Sequence, residues 1–196
     1  MQDWTGNTQS VMATLNASNH SGGERADNDY YATPAKAVYG LLGVEQFSKN
    51  IWEVACGEGH ISDILKKNGY NVLSTDLIWR GYGDGEVDFL RTNRSYDGDI
   101  VTNPPFKYAT EFVRKALETV QIGNRVAMFL RIQFLEGVKR RKLFDEQPPK
   151  LIYVSSRTLR CAKNGDFENA TGNASTYAWF IWQRGFNGTT ALKWFN

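Results

Sequence analysis

Long apolar runs are missing from this 196-residue chain: the longest, YAWFIW at 177 to 182, falls far short of the ~20 residues that cross a bilayer. The amino-terminus carries no basic-then-apolar signal pattern, so a cytoplasmic protein without membrane association is expected. Cysteine and histidine are equally scarce, with only Cys56, Cys161, His20 and His60. No CxxC pair exists, so neither a disulfide framework nor a zinc cluster can be assembled, and no metal is expected. A Ser-His-Asp or Cys-His hydrolase would have to rely on His60, because His20 stands in a polar tail. An excess of one charge is also lacking. The 23 Lys plus Arg against 21 Asp plus Glu leave +2, too little for a histone-like or arm-type nucleic-acid protein.

What is present is the balance of one ordinary globular domain, 41% hydrophobic and 22% charged, with 13% aromatic residues that include six Trp. Most of those rings are expected in the core, where each buries a large area. Residues 1 to 28 form a segment dominated by Asn, Ser, Thr, Gly and Gln, read as a mobile polar tail of net charge −2, which leaves +4 on residues 29 to 196. No internal repeat or linker divides that body, so it is read as a single domain.

From residue 30 onward, short β-prone runs alternate with helix-length stretches, the pattern of βαβ units and a mostly parallel sheet. Thr33-Pro34 reads as a helix start, a capping hydroxyl followed by proline at the first helical position. Strand 51 to 55 leads through Cys56-Gly57-Glu58-Gly59-His60 into a helix closed by Asn68-Gly69, and a second strand ends at Asp76. An irregular Gly- and Asp-rich stretch (78 to 98) precedes strand 99 to 103. A helix over 109 to 120, a strand over 125 to 130, a basic helix over 134 to 144 and strands over 150 to 154 and 177 to 183 follow, with 191 to 195 a further strand candidate.

Two places carry chemistry. Gly57 and Gly59 sit where a strand turns into a helix, and glycine there lets a ligand approach the backbone and the free N–H groups of the helix start. Ser62 stands where a dinucleotide fingerprint wants a third small residue, and no GK[ST] follows, so the turn is neither that fingerprint nor a P-loop. Asp76, 19 residues after Gly57, stands about where a carboxylate grips a ribose diol, so the pair implies a nucleoside-containing ligand. The second place is Asn103-Pro104-Pro105-Phe106 after the strand DIVT. Two prolines remove two N–H donors and leave backbone carbonyls and the Asn103 side chain as acceptors, while Phe106 can stack on a ring. Such a rigid acceptor cluster suits an exocyclic amino group, whose lone pair is freed from ring conjugation when its hydrogens are accepted.

The order Thr33-Pro34, Glu53-x-Ala-Cys-Gly-x-Gly59, Asp76, Asp88-Phe89, Asn103-Pro104-Pro105-Phe106 resembles the class I S-adenosylmethionine-dependent methyltransferases. More narrowly, it resembles those amino-methyltransferases whose motif is (D/N)PP(Y/F), typified by DNA adenine-N6 methyltransferases. The segments at 130 to 137, 163 to 167 and 177 to 182 are similar to small phage and prophage members. The resemblance spans about residues 29 to 196 and implies an α/β, Rossmann-like fold: a mostly parallel twisted sheet, helices on both faces and an antiparallel C-terminal strand. It implies S-adenosylmethionine as cofactor and S-adenosylhomocysteine as product, and since the stretch after Phe106 is too short for the separate target-recognition domain that sequence-reading members usually carry, none is expected.

Position by position, the resemblance implies that Gly57 and Gly59, with neighbouring Ala55 and Cys56, approach the methionine part of the cofactor while Glu53 holds its amino end. Asp76 would bind the ribose, Leu77 pack on the adenine, and Asp88 and Phe89 meet the adenine amino group and ring, with Asp84 and Glu86 as near alternatives to Asp88. Tyr31, Thr33 and Pro34 would cover the methionine tail, and Tyr30 and Tyr31 offer aromatic faces to the cation. Asn103 and the Pro104 carbonyl would accept from the target amine, Pro105 would stiffen the turn and Phe106 would stack on the target; Asn103 also borders the cofactor. Lys139, Arg140, Arg141 and Lys142 on the basic helix, with Arg157, Arg160 and Lys163 in the following loop, are candidate phosphate contacts, and the competing reading is a solvated face. The motif does not separate DNA, the favoured partner, from an RNA base or a protein amide, and a small-molecule target stays open. A partner subunit or a homo-oligomer could supply recognition that a chain of this size lacks.

Overall fold

The computed structural model describes residues 30 to 168 and 175 to 195; the expected tail lies outside them. Seven strands form the central sheet: β2 (Asn50–Glu53), β3 (Asn71–Ser74), β4 (Asp99–Thr102), β5 (Arg125–Arg131), β6 (Leu151–Ser155), β8 (Tyr177–Gln183) and β9 (Ala191–Phe195), in the order β3-β2-β4-β5-β8-β6-β9. All neighbours pair in parallel except β8, which runs antiparallel to both β5 and β6. The mostly parallel sheet with an antiparallel C-terminal strand expected from the sequence is thus present. Two further short strands, β1 (Tyr31–Ala32) and β7 (Ala162–Lys163), pair antiparallel beside it.

Burial on both faces explains why the strands read as near-continuous apolar runs rather than alternating ones. Along β5, Val126, Met128 and Leu130 point to one core and Ala127 and Phe129 to the other. Along β8, Phe180 and Trp182 share the first core, Trp179 and Ile181 the second. The first core is closed by α3 (Ala109–Thr119) through Phe112, Val113 and Ala116 and by α4 (Val138–Glu146) through Leu143. The second is closed by α1 (Ala35–Val44) through Ala37, Val38 and Leu41 and by α2 (His60–Lys67) through Ile61, Ile64 and Leu65. Trp52, Trp179 and Trp182 are buried, and their indole N–H groups bond Thr75 Oγ1, the Ala37 carbonyl and the Gln147 carbonyl at 2.9 Å each. Trp79 and Trp194 are instead exposed.

Two local expectations need correction. Helix α1 begins one residue later than expected, with Pro34 as an uncapped first flank, because the Thr33 hydroxyl faces inward and accepts from Asn103 Nδ2 at 3.0 Å. The basic helix expected over 134 to 144 is split. A 3-10 turn at Ile132–Leu135 buries Phe134, and α4 starts only after Gly137, whose φ of 105° interrupts the path. Among the described residues no helix is long and apolar enough to cross a membrane.

Candidate functional site

Strand β2 leads to β3 on one side and, later in the chain, β4 lies on its other side, so the order reverses at β2/β4, the place where open α/β sheets leave a crevice beyond the strand ends. A cavity of about 290 Å³ opens there, close to the lower bound of ~300 Å³ for small-molecule sites. Its wall gathers residues from five separate segments: Tyr31 and Thr33, Glu53 to Cys56, Asp76 and Leu77, Asp88 and Phe89, and Asn103 to Phe106. All of these except Val54 are positions singled out from the sequence. Pro34, Gly57, Gly59, Lys139, Arg140, Arg141, Arg157 and Arg160 do not line the cavity.

The floor is acidic. Burial pushes the Glu53 carboxyl up to about 8, against the counter-effect of the Ser62 hydroxyl that donates to it and with a further upward push from Asp76. Ser62 in turn meets Ser74 Oγ at 2.6 Å, so the residue that departs from a dinucleotide fingerprint supports the acid. Asp76 accepts from the Gly57 N–H (2.8 Å) and the Ile78 N–H (2.9 Å), one on each oxygen. Each carboxylate oxygen has a second lone pair, so a diol can still be gripped. Of Asp84, Glu86 and Asp88, only Asp88 lines the cavity. It caps the following 3-10 turn through Leu90 N–H at 3.0 Å and pairs with Arg91 at 3.3 Å.

Gly57 has φ +54° and Gly59 φ +86°. The groups that press on them belong to the protein itself: a Cβ on Gly57 would run into the Tyr30 ring and one on Gly59 into the Tyr82 ring. Tyr30 is thus a roof over the turn, its hydroxyl 3.1 Å from His60 Nδ1, its ring 4.9 Å from the Arg80 guanidinium and its phenol pushed up to about 12 by burial. Replacement of Gly57 by Ala is expected to cost about 1–2 kcal/mol from the left-handed backbone, read as a melting temperature lower by roughly 2–8 °C. Displacement of Tyr30 adds to that loss.

At the other end, Asn103 Nδ2 donates to the Tyr31 carbonyl (2.8 Å) and to Thr33 Oγ1 (3.0 Å). Both amide hydrogens are thereby used and the oxygen Oδ1 is the group left for a ligand. Phe106 is half-buried, tilted against Tyr31 and Tyr177 with ring centroids 6.2 and 6.1 Å away. Phe89, by contrast, is a core ring, edge-on to Trp52 at 5.4 Å and beside Phe112, which presents only part of itself to the cavity. Burial also pushes the Cys56 thiol up to about 12, so it is a neutral packing group.

Sequence reasoning missed Arg80 and the cavity position of His60. His60 opens α2 and was weighed only as a hydrolase base, whereas Arg80 sits in an irregular loop without any periodic signal. The basic candidates are engaged locally: Arg140 stacks 5.1 Å over Phe134, Arg141 pairs with Asp145 and Lys142 with Glu146. Such exposed pairs contribute only a few tenths of a kcal/mol. Helix α4 leaves the sheet from the end where the cavity lies, and Arg157 and Arg160 follow the same end of β6. Among the described residues no cluster of His, Cys, Asp and Glu could hold a metal ion.

This arrangement, with a crevice at a β2/β4 reversal and an antiparallel penultimate strand, is the Rossmann-like fold of class I methyltransferases. A protein of Pyrococcus horikoshii described as an RNA methyltransferase superposes with a TM-score of 0.58 at 14% identity over 93% of this chain and 100% of that one. A class I S-adenosylmethionine-dependent methyltransferase of Listeria monocytogenes gives 0.56 at 13% identity, covering 94% and 70%. A modification subunit of a type I restriction enzyme from Vibrio vulnificus gives 0.58 at 14%, covering 93% of this chain and 48% of that longer one. No family model and no curated protein matches the sequence.

Proposed function

We propose that this protein is an S-adenosylmethionine-dependent methyltransferase acting on an exocyclic amino nitrogen, with N6 of adenine in DNA as its target. The observation that carries the reading is Asn103. With both amide hydrogens held by Tyr31 and Thr33, its oxygen is a fixed acceptor beside two prolines that donate nothing and one aromatic ring.

The cavity fits the cofactor by its chemistry. Glu53 and Asp76 offer carboxyl groups to an ammonium group and a ribose diol, Asp88 offers one to an amino group, and Leu77, Val87 and Ile78 supply apolar walls for a purine. When bound, the cofactor supplies an already activated methyl group, so the protein needs no strong base and no histidine in that role. Asn103 Oδ1 and the Pro104 carbonyl draw on the hydrogens of the target amine and free its lone pair. Phe106 fixes the plane of the target ring. Tyr30 and Tyr31 cover the opening and exclude water, and the displaced proton passes to solvent after transfer. Most of the rate gain in such a site comes from positioning. In duplex DNA the adenine must leave the stack at a cost of a few kcal/mol.

DNA, rather than RNA or protein, follows from the sequence resemblance to small phage and prophage adenine methyltransferases. Recognition would fall to helix α4 and to Arg157 and Arg160 beyond β6, which leave the sheet at the end where the cavity lies. The test is transfer of labelled methyl from S-adenosylmethionine to DNA, RNA and protein pools. Label is expected in DNA; label in RNA or protein alone would overturn the target, and label nowhere would overturn the activity.

A further inference from the structure

Arg131, the last residue of β5, stands apart from the basic residues named above. The antiparallel register sets it directly opposite Tyr177, and its Nε donates to Tyr177 Oη at 3.4 Å. Tyr177 is buried, so the Arg131 side chain rests on a hydroxyl fixed within the core. Its Cζ lies 4.8 Å from the centroid of the Phe106 ring. No ion pair among the described residues includes Arg131. Other guanidinium groups of this half are held in ion pairs: Arg114 with Glu146, Arg125 with Glu45 and Arg141 with Asp145.

A half-buried guanidinium held by one N–H keeps four others in a planar fork, a geometry that matches two oxygens of an anion. Its aromatic bed gives it direction but no counter-charge. Because one face of Phe106 is already covered, a target ring either stacks on the other face or displaces the guanidinium outward. In both cases the fork stays beside the ring that Asn103 serves. A protein amide brings no anion to that place, whereas a nucleotide carries one on the sugar attached to its base.

We propose that Arg131 is an anion anchor that binds the phosphate of the target nucleotide, a positioning residue for the transfer. The proposal rests on the reading of Asn103 and Phe106 as the acceptor-base site and names the residue that would hold the phosphate beside that base.

The test titrates 2′-deoxyadenosine and 2′-deoxyadenosine 5′-monophosphate into the full chain saturated with S-adenosylhomocysteine, followed by nuclear magnetic resonance shifts, in wild type, Arg131→Met and Arg131→Lys. In wild type the phosphate is expected to tighten binding about 10- to 100-fold, the range of a charge-assisted pair. Arg131→Met should erase that gain and leave nucleoside affinity within about twofold, and Arg131→Lys should restore part of it. The wild-type gain should shrink as salt rises. An equal phosphate gain in wild type and Arg131→Met, or a salt-independent one in wild type should the Met variant fail to fold, would overturn the anchor alone. Binding of neither probe by wild type would overturn the anchor together with the base-site reading beneath it.

Discussion

Replacement of Asn103 by Ala is expected to lower methyl transfer by about 10²–10³-fold or more, the magnitude seen when one preorganised hydrogen-bonding group is taken from a reacting centre. Cofactor affinity should change by less than tenfold, because the acids proposed to face the cofactor, Glu53, Asp76 and Asp88, stay in place. The structure adds a second variant. Thr33→Val removes one of the two acceptors that orient the Asn103 amide while keeping its shape. A smaller loss of about tenfold in kcat is expected, with KM for the cofactor unchanged. Single-turnover transfer and calorimetric titration of S-adenosylhomocysteine read the two effects separately. Equal loss of turnover and of cofactor affinity in Asn103→Ala would remove this residue from the target side of the site.

A large pH effect is expected from Glu53. Burial raises its carboxyl from an ordinary value of 4.5 to about 8, so the folded protein holds a proton that the unfolded chain releases. The associated stability is fully present below about pH 4.5 and is lost as the pH climbs towards 8, by up to about 1.4 kcal/mol per pH unit. Glu53→Gln, which keeps a neutral acceptor for Ser62, should flatten that difference in denaturant melts between pH 5 and 8. An identical slope in the two proteins would show that Glu53 does not titrate there. A cationic amino group beside Glu53 favours its charged form, so cofactor binding should expel a proton and tighten as the pH rises towards 8. In Glu53→Gln that pH dependence should vanish.

The parts legible in the sequence are those where one residue type serves one physical need. The alternation of buried runs and helix-length segments fixed the order of the elements, and β8 was read at its observed bounds because a strand buried on both faces has no polar interruption. Asn103-Pro104-Pro105-Phe106 stands out in the sequence because two prolines in a row remove two N–H donors, and in the fold it follows β4 and lines the cavity. What could not be read was which partner each group meets. Thr33 looks like a helix cap in sequence, yet its hydroxyl is claimed by an amide 70 positions away. The two glycines looked like room for a ligand alone, yet Tyr30 and Tyr82 press against them. Arg80 and Arg131 gave no signal, since isolated arginines carry no pattern and only the folded sheet brings one to Tyr30 and the other to Phe106. Phe89 was assigned to a ligand face and is chiefly a core ring, because its neighbours Trp52 and Phe112 come from distant segments.

The most direct measurement of the central claim uses S-adenosylmethionine carrying a trideuterated methyl group, DNA as acceptor, and mass spectrometry of the released nucleosides. The account predicts a trideuteromethyl group on N6 of deoxyadenosine, and its absence in the Asn103→Ala reaction. Label on a ring nitrogen, a carbon or an oxygen, or N6 label that survives Asn103→Ala, would contradict it.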